Sequence, residues 1–216
     1  MPRVLIGCET SGIVRNAFLA AGCDAWSCDL LPSDDRSNRH ITGDIREVMQ
    51  GRWDLMAVMH PPCTRLCNSG VRWLTRPPRG RSLPEMWQEL DEGAALFSAL
   101  WNATHIPCRA IENPVMHRHA KARITNYRPP AQTVQPWQFG TEDTGPDNER
   151  KRTCFWLHNL PPLRPTGTLD GRTARASVHH ASPGPERWKL RSKFFPGLAA
   201  AMADQWGRAA QQRSAA

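Results

Sequence analysis

The segment HPPCTRLCNSG, residues 60–70, brings together residue types that do chemistry in proteins: one histidine and two cysteines. Two prolines stiffen the chain directly before Cys63, and Cys67 follows four residues later. Three interpretations are open for Cys63: a metal ligand, a nucleophile or a small buried residue. Buried thiols are common, but packing gives a poor account of a cysteine displayed behind two rigid prolines at the end of a predicted strand.

A metal site is the least favoured of these interpretations. His60, Cys63 and Cys67 form one set of ligands, whereas structural zinc sites usually combine two closely spaced pairs. Zinc deaminases of nucleobases carry H-x-E followed by P-C-x-x-C. This chain has no H-x-E, and three residues separate its two cysteines. We therefore expect no metal.

The nucleophile interpretation requires helper residues. A thiol attacks as a thiolate, so it needs nearby positive charge or a neighbouring base. Positive charge is available at Arg65 and in the segment ERKR, residues 149–152. An acid that activates the substrate is also needed, and Glu112 lies at the end of the predicted strand CRAIENP, residues 108–114.

A second group of polar residues could hold a cofactor. The turn GCETSG, residues 7–12, lacks the G-x-G-x-x-G pattern of dinucleotide sites, and Ile13 replaces the lysine that a phosphate-binding P-loop requires. Asp29 follows about twenty residues later, where an acidic side chain can accept hydrogen bonds from ribose hydroxyls. Asp44 could likewise accept a hydrogen bond from the amino group of an adenine ring. The alternative for either aspartate is a helix N-cap or a turn.

Strands and helices that alternate along the chain must position these residues. The hydrophobic pattern predicts strands at 3–6, 24–31, 53–60, 108–114 and 153–160, and helices at 13–22, 45–50, 84–103 and 196–210. Such alternation predicts an α/β fold with a parallel-type sheet. Ligands of these sheets bind beyond the carboxyl ends of the strands, which is where the candidate residues fall.

Composition narrows the class of protein and of partner. The chain has 216 residues, a formal net charge of +8 and a sequence pI of about 9.6. This charge favours a polyanionic partner such as nucleic acid, with solubility alone as the alternative. Two basic segments without regular periodicity, 71–83 and 159–191, are the predicted contact loops. No apolar run approaches the length of a membrane span, and scattered cysteines predict reduced thiols in a cytoplasmic protein.

Several of these segments together resemble the DNA cytosine-5 methyltransferase family, in order and spacing along almost the whole chain. PPCTRLCNSG resembles the catalytic loop, and IENP, residues 111–114, resembles the Glu-Asn-Val motif with proline in place of valine. GCETSG and the two aspartates resemble the cofactor motifs, and ERKRTCFWL resembles the basic motif. RSKFFPGLAAAMADQW, residues 191–206, resembles the closing motif that returns the last helix to the cofactor site. The likeness is greatest to small members of the family from phages.

The resemblance implies a Rossmann-like, class I S-adenosylmethionine-dependent methyltransferase sheet with helices on both faces. It divides the chain into a catalytic and cofactor-binding domain, residues 1–158, a reduced target-recognition region, 159–191, and a returning helix, 192–210. It implies a monomer that acts on DNA, in the host cytoplasm if phage-encoded. Cys63 would attack C6 of a flipped-out cytosine, and a methyl group from S-adenosylmethionine would go to C5.

The resemblance also assigns residues to roles. The implied catalytic residues are Cys63, Glu112 and Arg152. The implied cofactor-binding residues are Gly7, Glu9, Thr10, Ser11, Gly12, Asp29, Leu30, Asp44, Ile45 and Pro61. The implied nucleic-acid contacts are Arg65, Ser69, Arg72, Arg76, Arg79, Arg150 and Lys189.

Three departures from the family pattern keep alternatives open. The interval available for target recognition is short, the basic motif lacks its glutamine, and the first glycine turn is altered. The alternatives are a catalytically idle protein that binds nucleic acid, and a related enzyme that acts on RNA or a pre-modified base or transfers another group. A zinc protein is the third.

Overall fold

A seven-stranded mixed sheet with helices on both faces forms the protein. The computed structural model describes residues 1–180, 182, 184, 191–192 and 194–214. Its strands are β1 (Arg3–Gly7), β2 (Asp24–Asp29), β3 (His40–Thr42), β4 (Leu55–Val58), β5 (Cys108–Asn113), β6 (Gln132–Val134) and β7 (Thr153–His158). Its α-helices are α1 (Ile13–Ala20), α2 (Ile45–Val48), α3 (Leu83–Trp101), α4 (Arg118–Lys121), α5 (Ser177–His180) and α6 (Pro196–Ser214). Short 3-10 helices span Val71–Leu74 and Pro136–Phe139.

The strand order is β3-β2-β1-β4-β5-β7-β6. The chain passes outward from β1 to β2 and β3 on one side, then returns to β4 on the other, so a topological switch point lies between β1 and β4. Ligands of doubly wound sheets bind at such a point, beyond the carboxyl ends of the strands. The predicted α/β class is therefore confirmed, and the strand order is compatible with a Rossmann-like fold.

One strand departs from the predicted parallel-type sheet. β7 runs antiparallel to both β5 and β6, in a register that pairs Asn113 with Cys154. The reversal has a local consequence: the residues just before β7 lie beside the residues that end β5. Alternating hydrophobicity predicts a strand but not its direction, because direction is set by contacts between distant segments.

Each face of the sheet is covered by its own hydrophobic core. Val4 and Ile6 of β1 pack with α1 and α6, whereas Leu5 packs on the other face with α2 and α3. β1 is therefore apolar on both faces, as expected for a central strand of a sheet of this kind. A capping box between Ser82 and Glu85 and a proline in the first turn begin α3, close to its predicted start.

The described part of segment 159–191 packs against the main fold. Leu163 is buried in the core, and its backbone exchanges hydrogen bonds of 2.6 and 2.7 Å with the Gln132 side chain. The Arg164 backbone exchanges two hydrogen bonds with the Gln205 side chain of α6 in the same way. Among the described helices, none is both long and apolar enough to cross a membrane.

Candidate active site

The turn after β1 is built by a buried carboxylate. Glu9 is fully buried and accepts hydrogen bonds from the backbone N–H groups of Val14 (2.7 Å) and Arg15 (3.1 Å) and from the Ser11 hydroxyl (3.2 Å). Burial raises the pKa of Glu9, and these donors oppose the shift. Both carboxylate oxygens are occupied by the start of α1, so Glu9 shapes the turn and is not free to contact a cofactor.

Two glycines of the same turn are required by packing. A Cβ at Gly7 would lie 2.9 Å from Cδ1 of Ile45, so Ile45 packs directly over the end of β1. Gly12 has a φ of +71°, and a Cβ there would overlap the Arg15 guanidinium. The backbone amide of Asp34 donates a hydrogen bond of 2.9 Å to the Thr10 carbonyl. These contacts fix the shape of the turn after β1.

Cys8 lies close to both aspartates that were predicted to bind a cofactor, Asp29 and Asp44. It adopts a left-handed conformation with a φ of +55°, uncommon outside glycine. Burial raises the pKa of its thiol, and the charges of Asp29 and Asp44 add to the shift. The two aspartates predicted from the sequence therefore both lie close to one atom of the turn. Sequence reasoning did not single out Cys8, because one cysteine within a turn carries no distinctive pattern.

Asp29 and Leu30 have the exposure expected of ligand contacts. Asp29 ends β2, and its Oδ1 accepts a hydrogen bond of 3.0 Å from the Leu31 amide. In the described part of the chain, its Oδ2 has no hydrogen-bond donor. Leu30 is 73% exposed, which leaves a large apolar side chain beside that oxygen. The Asp29 carboxylate can therefore accept a hydrogen bond from a ligand, and the Leu30 side chain can pack against a flat ring.

Asp44 has the helix-capping role that was the alternative to cofactor binding. It is the N-cap of α2 and accepts the Arg46 amide at 2.8 Å. The Arg46 guanidinium contacts both of its oxygens and holds the pKa of Asp44 below its ordinary value. Pro61 is buried just after β4, where it directs the chain into the next loop.

The loop that carries Cys63 is folded as a tight turn. The amides of Leu66 and Cys67 donate to the Cys63 carbonyl at 2.9 and 3.0 Å. At Gly70 a Cβ would overlap the Thr64 carbonyl oxygen, so the loop closes over a position that only glycine can occupy. The Cys63 side chain is partly exposed, and the hydrogen bond with the Cys67 thiol, together with burial, raises its pKa.

Glu112 ends β5 and lies beside this loop. It is 4% exposed, and in the described part of the chain its Oε1 has no hydrogen-bond partner. Burial raises the pKa of the carboxyl to about 7, a shift that the charge of Lys151 opposes and that of Cys67 increases. A carboxyl with this pKa exchanges a proton readily near neutral pH, which is the property of a general acid.

Of the basic residues in ERKR, Lys151 is the one whose charge acts on Glu112 and Cys63. Burial lowers the pKa of Lys151, and the charges of Glu112 and Cys63 oppose that shift. Arg152, the residue assigned from the basic motif, is exposed. The segment before β7 is extended, so successive side chains point in opposite directions. The motif ERKR contains three basic residues, and only the tertiary structure decides which one faces inward.

Two further buried groups near the site lack partners. Nε2 of His60 and the side-chain amide of Asn113 have no hydrogen-bond partner in the described residues. Burial and the charge of Lys151 lower the pKa of His60 well below its ordinary value, so its imidazole is neutral. Buried polar atoms are normally satisfied. Their concentration at the ends of β4 and β5 indicates a site that a polar ligand completes.

Backbone bonds hold the two candidate catalytic elements together. Residues 115–117, which follow β5, bond to the Cys63 loop through Asn68 N–H to Val115 O (3.0 Å) and His117 N–H to Leu66 O (3.1 Å). Nε2 of His117 donates to the Arg65 carbonyl at 2.6 Å while its Nδ1 accepts from the Ala120 amide. The position of Cys63 relative to Glu112 therefore depends on this junction.

The segment before α6 closes the site from the opposite side. The Phe194 ring meets His60 edge-on at 5.7 Å, and Nζ of Lys151 lies 5.7 Å from the centre of the Phe195 ring. The Gly197 amide donates to Asp147 at 2.8 Å, which anchors the first turn of α6. The C-terminal helix thus returns to the edge of the sheet where Cys63 and Glu112 lie.

The predicted nucleic-acid contacts divide into three groups. Arg72, Arg76 and Arg79 are exposed in the loop after Gly70, and the Arg72 guanidinium stacks 4.2 Å from the Trp73 ring centre. Ser69 is exposed, with Oγ 3.1 Å from the Cys67 sulfur. Arg65 and Arg150 bond to other groups of the protein, and Lys189 lies outside the described residues.

Arg65 and Arg150 have structural partners. Arg65 is 8% exposed, and its Nε bonds Glu89 of α3 at 2.7 Å, so it fixes the Cys63 loop to that helix. Arg150 is exposed, but it donates to the Gly171 carbonyl at 2.9 Å. Arg65 is therefore unavailable to a phosphate, because its guanidinium is buried against a carboxylate.

Comparisons with known proteins identify no relative. No protein-family model matches the chain, and a search of curated proteins finds no significant match. In the described residues, no group of three or more histidine, cysteine or acidic side chains is arranged to hold a metal ion. The functional assignment therefore depends on the geometry of the site and on the motif resemblance.

Proposed function

We propose that the protein is an S-adenosylmethionine-dependent methyltransferase that acts on C5 of cytosine in DNA. The observation that carries this proposal is the buried Glu112 carboxyl, with a pKa of about 7, beside both a cysteine loop and Lys151. Attack at C6 of cytosine requires a thiol nucleophile together with a group that protonates or hydrogen-bonds the ring nitrogen. This cluster contains both.

The cofactor-side residues support a nucleoside ligand next to this cluster. Asp29 has one carboxylate oxygen without a donor among the described residues, which suits ribose hydroxyls. The exposed Leu30 side chain can cover an adenine ring. S-adenosylmethionine, when bound, supplies the electrophilic methyl group. The turn at residues 8–12 follows β1, at the switch point of the sheet where a ligand of this kind would bind.

The chain's own groups account for the remaining chemistry. Cys63 forms a bond to C6, and protonated Glu112 donates to N3, so that the electron pair displaced from the C5–C6 bond is neutralised on the ring. We assign Lys151 to the O2 oxygen, because its charge already acts on the neighbouring Glu112 carboxyl. After methyl transfer, loss of the C5 proton restores the double bond and releases Cys63.

The reaction requires the target base to leave the duplex stack, because C6 is hidden between neighbouring bases. His60 Nε2 and the Asn113 amide are buried donors and acceptors without partners among the described residues, which suits recognition of an extruded base. Arg72, Arg76 and Arg79 are exposed beside the Cys63 loop and are the proposed phosphate contacts.

Nucleoside mass spectrometry tests the proposal directly. The protein is incubated with unmodified DNA and S-adenosylmethionine, beside a Cys63→Ala variant, and the digested DNA is analysed for deoxycytidine products. We expect 5-methyldeoxycytidine with the wild-type chain and none with the variant. A folded wild-type protein that binds S-adenosylmethionine and leaves DNA cytosine unchanged would contradict the proposal, and methylated cytidine in RNA instead would favour the RNA-acting alternative.

A further inference from the structure

A chain of hydrogen bonds runs from the buried interior beside β2 to the candidate cofactor residue Asp29. Ser27 and His40 lie opposite each other in the parallel pairing of β2 with β3. The Ser27 hydroxyl lies 2.8 Å from Nδ1 of His40, and its oxygen accepts a hydrogen bond of 2.7 Å from the Arg15 guanidinium. Ser27 is fully buried, so its hydroxyl must find its partners within the protein.

The second ring nitrogen of His40 determines the direction of these bonds. Nε2 lies 2.9 Å from the Leu31 carbonyl oxygen, which can only accept a hydrogen bond. Nε2 therefore carries the proton, and in the neutral ring the remaining nitrogen, Nδ1, is an acceptor. The Ser27 hydroxyl then donates to Nδ1, which leaves its oxygen to accept from Arg15. Each bond in the chain thus has a defined donor and acceptor.

Leu31 connects this chain to the carboxylate that was predicted to bind the cofactor. Its amide donates to Oδ1 of Asp29 at 3.0 Å, while its carbonyl accepts from His40. The backbone of Leu31 is therefore fixed on both sides. Because Oδ1 is occupied, the Asp29 carboxylate is held with its Oδ2 free of a donor among the described residues. The orientation of Asp29 and of the adjoining Leu30 depends on this arrangement.

The remainder of the loop after β2 is anchored independently of His40. Asp35, four residues after Leu31, forms an ion pair with the buried Arg15 guanidinium. Replacement of His40 would therefore release the residues beside Asp29 while the later part of the loop keeps its anchor.

We propose that His40 is a positioning residue for the cofactor site, which fixes Leu31 so that Asp29 presents one carboxylate oxygen to the ribose of the bound nucleoside. The inference rests on the proposed function for the identity of the cofactor. His40 acts through Leu31 and takes no part in the bond changes at C5 and C6 of the cytosine. Its loss should therefore weaken the binding of S-adenosylmethionine and leave the rate of methyl transfer at saturation unchanged.

Two substitutions separate the two hydrogen bonds of the His40 ring. His40→Gln retains an amide N–H group that can take the place of Nε2 and donate to Leu31. His40→Asn retains an amide oxygen that can take the place of Nδ1 and accept from Ser27, but its side chain is too short to reach Leu31. His40 is partly exposed on a three-residue edge strand and belongs to neither hydrophobic core, so both variants should fold.

The matched control is His105→Asn. Nε2 of His105 also bonds a backbone carbonyl, that of Met49 at 2.8 Å. His105 precedes β5, so it lies at the opposite edge of the sheet from Asp29.

The experiment measures the Kd for S-adenosylmethionine by isothermal titration calorimetry of the purified chain. The KM for S-adenosylmethionine and the kcat of methyl transfer are measured on the same samples with unmodified DNA. Thermal unfolding establishes that each variant is folded.

We expect His40→Asn to raise both Kd and KM for S-adenosylmethionine about tenfold, because a hydrogen bond that orients the binding carboxylate is lost. Its kcat should stay within about twofold of the wild-type value. His40→Gln should bind within about threefold of the wild type, because it keeps the bond to Leu31. His105→Asn should bind and react as the wild type does.

A wild-type Kd in folded His40→Asn would overturn the proposal. Equal weakening in both His40 variants would also overturn it, because the packing of the ring would then matter and not its bond to Leu31. Binding in the expected order, with no methyl transfer by the wild type, would support the positioning role and refute the proposed reaction. A wild-type chain that does not bind S-adenosylmethionine would overturn both.

Discussion

At the scale of single residues, charge and burial oppose each other within the Cys63–Glu112–Lys151 cluster. Glu112 is nearly inaccessible to solvent, and Lys151 opposes the rise in its pKa without cancelling it. Cys63 and Glu112 would repel each other if both were ionised. The cluster therefore favours a state in which protons are shared near neutral pH, as acid–base chemistry requires.

The first prediction concerns the stability of the protein against pH. The folded-state pKa of Glu112 is raised from 4.5 to about 7, so the folded state binds this proton more tightly than the unfolded state does. Its contribution to stability is complete below pH 4.5 and is lost as pH rises to about 7. Glu112→Gln should remove this loss, about 3 kcal/mol of the wild type's decrease across that window.

Urea unfolding of both proteins at pH 4.5, 6 and 8 measures this difference. The two curves of unfolding free energy should converge toward the same slope above pH 8. Parallel pH dependence of wild type and Glu112→Gln throughout the range would show that Glu112 titrates as an exposed carboxyl.

The second prediction separates Lys151 from its neighbour. Lys151→Ala should lower methyl transfer about 100-fold, because the site loses its inward positive charge. Arg152→Ala is the matched control, since Arg152 is the next residue along the chain but is exposed, and its replacement should lower activity less than about threefold. Steady-state kinetics on one DNA substrate measures the loss of activity in each of the two variants. A larger effect at Arg152 would return the catalytic role to the residue that the basic motif indicated.

At the scale of elements, the segments that follow β4 and precede β7, the last residues of β5 and the segment before α6 meet around Cys63, Glu112 and Lys151. Cys63 follows β4, Glu112 ends β5 and Lys151 precedes β7, and this last position is possible only because β7 is antiparallel. The hydrogen bonds between residues 115–117 and the Cys63 loop then set the distance between nucleophile and acid.

The third prediction tests how tightly that loop is closed. Gly70→Ala would force a methyl group against the Thr64 carbonyl oxygen, so the loop must open. We expect a decrease of at least about 3 kcal/mol in unfolding free energy, or a folded protein whose Cys63 is displaced and inactive. Gly43→Ala is the control for stability, because nothing lies within 4 Å of its Cβ position. Thermal unfolding and activity assays measure both variants. Equal stability and activity of Gly70→Ala and Gly43→Ala would contradict the prediction.

At the scale of the whole molecule, a net charge of +8 is distributed between structural and exposed arginines. Arg65 is used inside the protein, where it bonds Glu89. Arg72, Arg76 and Arg79 stand exposed on the loop that follows the Cys63 turn. Net charge alone cannot distinguish these two groups of arginines, because it does not show which guanidinium groups already form an ion pair with a carboxylate.

The fourth prediction uses the salt dependence of DNA binding. Replacement of Arg72, Arg76 or Arg79 by alanine should reduce the slope of log K against log salt by about 0.9 for each phosphate that the protein no longer neutralises. Arg65→Ala should leave that slope unchanged and instead lower stability by about 1–3 kcal/mol. Fluorescence anisotropy with labelled DNA at several salt concentrations measures the slopes. An unchanged slope in all three exposed variants would exclude this loop as the DNA-binding surface.

The alternating hydrophobic pattern was enough to predict the α/β class, the central strands and the two long helices. These features follow from local periodicity, from the capping box at Ser82 and from apolar strands that are buried on both faces. The positions of Asp29, Cys63 and Glu112 at or just beyond the ends of strands were also predictable, because each strand was recognisable from its apolar run.

Only the tertiary structure decided the direction of β7, the choice of Lys151 over Arg152 and the internal roles of Glu9, Arg65 and Asp44. The direction of β7 and the role of Arg65 depend on partners distant in sequence, and the choice within ERKR depends on which of two adjacent side chains faces inward. Glu9 and Asp44 bond to nearby backbone amides, but their sequence pattern was equally compatible with cofactor contacts. A segment such as ERKR contains the charges but not their directions. Those directions are set when β7 pairs with β5 and buries one side of the segment.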